Sequence, residues 1–140
     1  MSGLKKVLLD HLVQDVFCRL GVSPLHGVGV FAIRPIAKGL NPLRSRVKHR
    51  EIKFTQDEIK VLPPGVRKQI EMFCYYDEDG VMISSMGMNT MDFSIYVNHS
   101  KQPNLQMNKN GSFEALRPIR IGEELTMDYD HSFDAEHHFD

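Results

Sequence analysis

The chain has 140 residues, of which 41% are hydrophobic and 25% are charged, and its formal net charge is −1. This length is typical of one domain that buries its own core without disulfides or metals. The near-neutral charge argues against a general nucleic-acid surface, and no apolar run reaches the roughly 18 residues that a membrane span needs. Cys18 and Cys74 are too few for a Cys₄ zinc site. We expect a soluble intracellular protein with free thiols, and nuclear and cytoplasmic locations remain equally open.

The periodicity of apolar residues predicts the first elements of the chain. Helical spacing predicts a short helix over 4–12, and alternation predicts strands over 16–20 and 30–33. The stretch 41–53 is basic, contains a proline and lacks clear periodicity, so we expect a loop or a weak strand. The basic cluster at positions 44–50 is typical of a solvated loop, with contact to an acidic partner as the alternative.

Capping signals predict two further helices. Thr55 and Glu58 form a capping box, and the flanking residues Phe54 and Ile59 occupy the two hydrophobic-staple positions. Pro64 suits the first turn of the next helix. The apolar stripe of that helix, which we expect to be buried, comprises Val66, Ile70 and Phe73.

Short strands and tight turns are predicted for the remainder. A hairpin is expected over 75–83, since its acidic turn ends in glycine and does not match the spacing of an EF-hand calcium loop. Further strands are predicted over 95–97, 105–107 and 113–116. Many short strands with few helices indicate a mostly-β architecture.

A short self-similarity relates two distant segments, residues 32–39 and 115–122. Each is a strand end followed by a proline-stiffened turn and a glycine. Two copies do not make a repeat protein. They predict two equivalent strand-turn corners in one β-rich domain.

Three segments carry polar or glycine-rich patterns that suggest a site. They are HGVGVFA at 26–32, YVNHSKQPN at 96–104 and GEELTMDYD at 122–130. Paired glycines let a backbone approach a ligand closely, yet they also occur in ordinary turns. An Asn-His-Ser run can cap backbone groups without any catalysis. Tyr129 alternates with Leu125 and Met127, so by itself core packing is its expected role.

Together, and in this order, the three segments resemble the motifs of the SET family of protein-lysine methyltransferases. The resemblance covers about 14–134, with residues 1–13 as an N-terminal helix or extension and 135–140 as a tail. It implies one domain over 1–140, mostly β with short helices. The fold would be a SET-type β-clip of several small sheets with a C-terminal pseudoknot. The implied reaction transfers methyl from S-adenosyl-L-methionine to a lysine of a histone or another protein.

The resemblance also implies roles for individual residues. Tyr129 corresponds to the catalytic tyrosine. The residues implied in cofactor binding are His26, Gly27, Val28, Gly29, Asn98, His99 and Tyr129. Phe133 matches an aromatic position that tunes the product, and Tyr75 or Tyr76 is expected to line the substrate-lysine channel. No metal site is predicted, and the acidic, histidine-rich tail is interpreted as solvated or partly disordered.

The chain departs from the family pattern at several positions. Leu40 and Asn41 follow Gly39 where the family has acids, and Ile95 and Lys101 replace an arginine and a cysteine. No cysteine-rich flanking segment is present in the sequence. The alternative hypothesis is therefore a catalytically inactive SET-like protein-binding module. Direct nucleic-acid binding is the weaker third hypothesis, and a homodimer that completes the substrate groove is left open.

Overall fold

The structure is a computed structural model that describes residues 3–45, 50–90 and 92–132, with side chains described as far as Asp130. Its helices are α1 (Gly3–Gln14), α2 (Gln56–Lys60), α3 (Pro64–Phe73) and α4 (Tyr129–Ser132), with a 3-10 helix at Phe93–Tyr96. Its strands are β1 (Cys18–Val22), β2 (Val28–Ala32), β3 (Glu51–Phe54), β4 (Tyr76–Asp77), β5 (Gly80–Ser84), β6 (Asn98–His99), β7 (Leu105–Met107), β8 (Phe113–Ala115) and β9 (Glu124–Met127). The expected mostly-β class with short helices is confirmed.

The last strand, β9, is the centre of the larger sheet. The strand order is β1-β2-β9-β7-β8, and β6 also pairs with β9. Val30 of β2 pairs with Leu125 in antiparallel orientation. Met127 has parallel partners in two strands, His99 of β6 and Leu105 of β7. Strand β9, which comes late in the chain, thus lies between strands that precede it in the sequence. This arrangement is the expected pseudoknot.

The two self-similar segments form equivalent corners that face each other. Ile36 and Ile119 exchange both backbone hydrogen bonds at 2.9 Å. The amide of Gly39 donates to the Ala115 carbonyl at 2.8 Å, and the amide of Gly122 donates to the Ala32 carbonyl at 2.9 Å. Each corner therefore satisfies the backbone of the strand that leads into the other.

Two apolar cores are present among the described residues. The main core fills the larger sheet and the corners, and its fully buried large side chains include Val30, Ile36, Leu105, Ile119 and Leu125. A smaller core joins Ile59 of α2, Ile70 of α3 and Val81 of β5. This smaller core and the three-stranded sheet of order β3-β5-β4 together form a second, smaller structural unit.

Local capping signals correctly predicted the helices of the second unit. The Thr55 hydroxyl accepts from the Glu58 amide at 3.2 Å, and the Glu58 carboxylate accepts from the Thr55 amide at 3.0 Å. The next helix begins at Pro64 as expected. Ile70 is buried, but Val66 is 40% exposed, so the expected buried stripe was wrong at that position.

Two expectations for the second half were wrong. Residues 95–97 are not a strand, because the Asp92 carboxylate accepts from the Ser94 amide at 2.9 Å and caps a 3-10 turn instead. Tyr129 does not continue β9. The Asp128 carboxylate accepts from the Asp130 amide at 3.1 Å, which ends the strand and starts α4 at Tyr129.

The first helix predicted by periodicity is confirmed, but it buries none of its residues. Its C-terminal end is fixed by the Arg34 guanidinium, which donates to the Val13 carbonyl at 3.0 Å and stacks 4.1 Å from the Phe17 ring centroid. None of the helices in the described residues combines the length and hydrophobicity that a membrane crossing requires.

The importance of the paired corners can be tested by comparing two isoleucines of one corner. Ile119→Ala removes a side chain that is 1% exposed and should lower the free energy of unfolding by about 2–5 kcal/mol. Ile121→Ala, at a position 64% exposed, is the matched control and should change it by less than about 0.5 kcal/mol. Urea denaturation measures both, and equal losses would contradict the assignment of Ile119 to the core.

Candidate functional site

The turn that precedes β2 is built around a serine hydroxyl. Ser23 Oγ accepts from the amides of Leu25 and His26 at 3.0 and 3.3 Å, and the Ser23 amide donates to the Gly27 carbonyl at 2.8 Å. Gly27 has φ +49, and a Cβ there would meet nothing within 4 Å. The turn is therefore closed on its inner side by Ser23 and open to solvent at Gly27.

Asn98 joins this turn to the pseudoknot. Its side-chain amide nitrogen lies 3.0 Å from the His26 carbonyl oxygen, 3.3 Å from that of Val28 and 2.8 Å from Glu124 Oε2. All three are acceptors, so the Asn98 NH₂ group lies among groups that it can satisfy. The structure thus brings together the first and second sequence motifs, as the resemblance implied.

Glu124 is the residue that the sequence reasoning missed. Its carboxylate oxygens accept from Ser23 Oγ at 2.8 and 2.9 Å, and Oε2 accepts from Asn98. Its neighbour Glu123 points to the corner and accepts from the Arg120 amide at 3.0 Å. Only the strand alternation after Gly122 could have hinted that the two acids face different ways.

Gly29 is required by close packing rather than by an unusual backbone angle. A Cβ at this position would lie 2.9 Å from Cδ of Glu124, closer still to Oε2, and 3.1 Å from Cβ of Ser23. The Glu124 side chain could move aside only by giving up its hydrogen bonds with Ser23 and Asn98. The second glycine of the HGVG segment therefore makes room for a carboxylate of the protein itself.

His99 and Tyr129 meet at the other end of β9. The Tyr129 amide donates to His99 Nδ1 at 3.1 Å, and the two ring centroids lie 5.2 Å apart. A ring nitrogen that accepts carries no hydrogen, so Nε2 is the donor of this ring. The contact fixes the backbone at the start of α4 against β6.

The Tyr129 hydroxyl donates to the Val97 carbonyl, the residue just before β6. Burial raises the pKa of the Tyr129 phenol to about 12, because the phenolate would be poorly solvated there. At neutral pH the phenol is protonated and its hydrogen is directed to Val97.

Asn104 holds β9 in place beneath these groups. It is 2% exposed, and its side chain donates to the Glu124 carbonyl at 2.9 Å and accepts from the Thr126 amide at 2.9 Å. Its own amide donates to the Thr126 carbonyl at 3.2 Å. A buried asparagine with these contacts extends the β7 ladder along β9.

Acidic side chains beside His99 have a cationic partner. His99, Asp128 and Asp130 have ligand atoms within 4.8 Å of one another, a grouping that could in principle hold a metal ion. Lys101 Nζ lies 2.5 Å from Asp130 and 3.4 Å from Asp128, and hydrogen bonding to Asp130 raises the pKa of its ammonium. The positive charge next to these carboxylates is thus that of Lys101, which stands where the family pattern has a cysteine.

The candidate substrate residues lie elsewhere or outside the described part. Tyr75 and Tyr76 lie at the end of α3 and the start of β4, in the smaller unit. That unit contacts the pseudoknot through the rings of Phe73 and Tyr96, whose centroids are 5.8 Å apart. Phe133 is outside the described residues, as are most of the basic cluster and the rest of the tail. The role of all three aromatic residues in binding substrate stays a prediction.

The two cysteines are free thiols, as expected. Cys18 is buried in the main core, and burial raises the pKa of its thiol to about 12. Burial also raises the pKa of the Cys74 thiol, with a contribution from the charge of Glu51. Thiols that hold their protons this strongly are poor nucleophiles, so neither supplies the chemistry of this site.

The family model of the SET domain matches residues 27–130, which is most of the chain and includes the turn at Gly27, the pseudoknot and Tyr129. The chain belongs to the SET-domain family. No curated protein matches the sequence significantly.

Solved structures support the SET fold. A Plasmodium falciparum protein assigned as a histone methyltransferase is 19% identical with a TM-score of 0.54, and the match covers 86% of this chain and 98% of that one. A humanized mutant of Chaetomium thermophilum Polycomb Repressive Complex 2, bound to the inhibitor GSK126, is 25% identical with a TM-score of 0.55. That match covers 86% of this chain and 16% of that one.

A third similar structure contains a ligand of interest. It is the same Chaetomium complex in an autoinhibited conformation bound to S-adenosylmethionine. The match has 23% identity and a TM-score of 0.55, and it covers 84% of this chain and 16% of that one. These likenesses show that the chain has the fold of a SET methyltransferase domain.

The packing of Glu124 on Gly29 predicts the effect of adding one methyl group. Gly29→Ala should lower the free energy of unfolding by about 1–3 kcal/mol, because it displaces a carboxylate from its hydrogen bonds. Gly65→Ala is the control, since a Cβ there meets nothing within 4 Å and alanine favours the helix by up to about 1 kcal/mol. Thermal and urea unfolding compare them, and a Gly29→Ala variant as stable as the parent would refute the close contact.

The environment of Tyr129 predicts a pH dependence. The folded state keeps a proton that an unfolded tyrosine loses near pH 10. The contribution of this pKa difference to the free energy of unfolding is therefore fully present below about pH 10. It is lost as the pH rises through about 12. Ultraviolet titration of phenolate should show a step near pH 12 that is missing in Tyr129→Phe. Loss of a step near pH 10 in that variant instead would contradict the burial effect.

Proposed function

We propose that this SET domain is an S-adenosyl-L-methionine-dependent protein-lysine N-methyltransferase with Tyr129 as its catalytic residue. One observation carries the proposal: the pseudoknot joins the turn at 26–29, the Asn98–His99 segment and Tyr129 around one strand. Three segments that are distant in sequence thus lie together along β9, which supports a shared site. Similarity to proteins named as histone methyltransferases makes histone tails the first substrates to test.

The described residues fit a cofactor at the turn. His26, Gly27 and Val28 are exposed, and the space beside Gly27 is open. Asn98 and Ser23 hold the turn from its inner side, which leaves its exposed outer side to a ligand. We propose that His26, Gly27, Val28 and Gly29, together with the Asn98–His99 segment, bind the cofactor.

S-adenosyl-L-methionine, when bound, supplies an electrophilic methyl group on a sulfonium. A lysine must lose its proton before its nitrogen can attack, which costs about 4–5 kcal/mol at pH 7 for a pKa of about 10.4. Tyr129 is not suited to take that proton, since its phenol is itself protonated until about pH 12. Its oxygen instead accepts a hydrogen bond from the amine and orients the nitrogen lone pair. The proton leaves to solvent.

The proposal predicts that Tyr129→Phe loses much more in rate than in affinity for the cofactor. Removing the acceptor oxygen should lower kcat by about 10–100-fold, which corresponds to a hydrogen bond of about 1.5–3 kcal/mol at the transition state. Radiolabelled methyl transfer to histones and to whole-lysate proteins, with mass spectrometry of the products, measures the rate. Calorimetry measures the affinity for the cofactor.

Tyr96→Phe is the matched control, because Tyr96 is a half-buried tyrosine that packs on Phe73 next to the same β6 segment. Its kcat should stay within about twofold of the parent. Full activity in Tyr129→Phe would overturn the assignment of Tyr129. A parent protein without measurable cofactor affinity would favour the alternative, a SET-like module that binds proteins and does not catalyse.

A further inference from the structure

We propose that Glu124 is the positioning residue of the cofactor turn, and this inference rests on the proposed function. Glu124 lies on β9, five residues before Tyr129, and its carboxylate points away from the main core towards Gly29. It has no described contact with the Tyr129 ring. Its effect on the reaction would therefore act through the turn at 26–29.

The carboxylate holds the turn through two separate contacts. On one side it accepts from Ser23 Oγ at 2.8 Å, and Ser23 in turn accepts from the amides of Leu25 and His26. On the other side it accepts from Asn98 Nδ2 at 2.8 Å, and the same NH₂ group faces the carbonyls of His26 and Val28. Both ends of the turn are thus connected to one side chain.

The two oxygens of the carboxylate have different donors. Ser23 Oγ uses its lone pairs for two backbone amides, so its own hydrogen is directed to the carboxylate, 2.8 Å from Oε1 and 2.9 Å from Oε2. Asn98 Nδ2 donates to Oε2 at 2.8 Å. A glutamine at position 124 would keep the size of the side chain, but its NH₂ group would face either Ser23 Oγ or the Asn98 NH₂ group. In both orientations the new NH₂ group meets a partner that has no acceptor to offer, so the network is weakened.

Gly29 makes the arrangement rigid. Because the carboxylate lies where a Cβ of residue 29 would be, β2 passes directly over it. The pairing of Val30 with Leu125 and of Phe31 with Glu124 fixes the backbone of both strands at this point. Because Glu124 lies on β9, its contacts fix where the turn lies relative to β9 and therefore relative to Tyr129.

The test compares two neighbouring glutamates. Glu124→Gln should raise the calorimetric Kd for S-adenosylmethionine by about tenfold, since loss of one charged hydrogen bond is of that size. Glu123→Gln removes the same charge one residue away, where the carboxylate contacts Arg117 and Arg120 instead. Its Kd should stay within about twofold of the parent. Equal effects of the two variants would mean a general charge effect and would overturn the proposal.

A merely structural role is separated by the readout. Reversible unfolding raises the apparent Kd only by the reciprocal of the folded fraction. Urea denaturation of Glu124→Gln measures that fraction, and a fraction close to one leaves positioning as the cause of a higher Kd. Ser23→Ala should raise the Kd in the same direction, and the Ser23→Ala/Glu124→Gln double variant should be clearly less than additive. Additive effects, or an unchanged Kd in Glu124→Gln, would refute the inference. A parent that binds no cofactor would refute the proposed function instead.

Discussion

The insertion of β9 between earlier segments is the constraint on which the rest of the structure depends. A strand of four residues has few backbone groups, and here its partners come from β2, β6, β7 and the Asn104 side chain. None of these partners is local in sequence, so β9 gains its hydrogen bonds only when the whole domain is assembled. The site shares that property, because Asn98 contacts the 26–29 turn directly and both are joined to β9 through Glu124.

The two corners show how such a strand is placed correctly. Ile36 and Ile119 pair through their backbones and are both 1% exposed, and the exit glycines donate across to the opposite strand ends. Each corner stabilises the other, and the second corner leads directly into β9 through Gly122. The self-similarity in the sequence therefore reflects a structural need. Two equivalent bends fix the direction in which the last strand enters the sheet.

Sequence signals within a few residues correctly predicted only the elements that short-range contacts determine. The capping box at Thr55 and the start of α3 at Pro64 follow from contacts within a few residues, and both are confirmed. The apolar run 95–97 was misleading, because the Asp92 carboxylate caps a 3-10 turn at the Ser94 amide instead. The family motifs drew attention to Asn98 and Tyr129. Strand alternation alone could have set Glu124 apart from Glu123, and its contacts with Ser23 and Asn98 are tertiary. Val66 was misassigned because its burial likewise depends on tertiary contacts.

The side chains at the two ends of β9 differ chemically, and so do their proposed roles: Glu124 positions the turn, and Tyr129 takes part in the reaction. At Glu124 an ionised acceptor gathers donors from Ser23 and Asn98, which suits a rigid turn. At Tyr129 burial keeps the phenol neutral, and its hydrogen is used by the Val97 carbonyl. A neutral phenol oxygen that accepts from an amine would orient it without holding its proton, which is the role proposed for Tyr129. Strand β9 thus connects the Glu124 carboxylate to the neutral Tyr129 hydroxyl, with the Asn98–His99 segment lying between them.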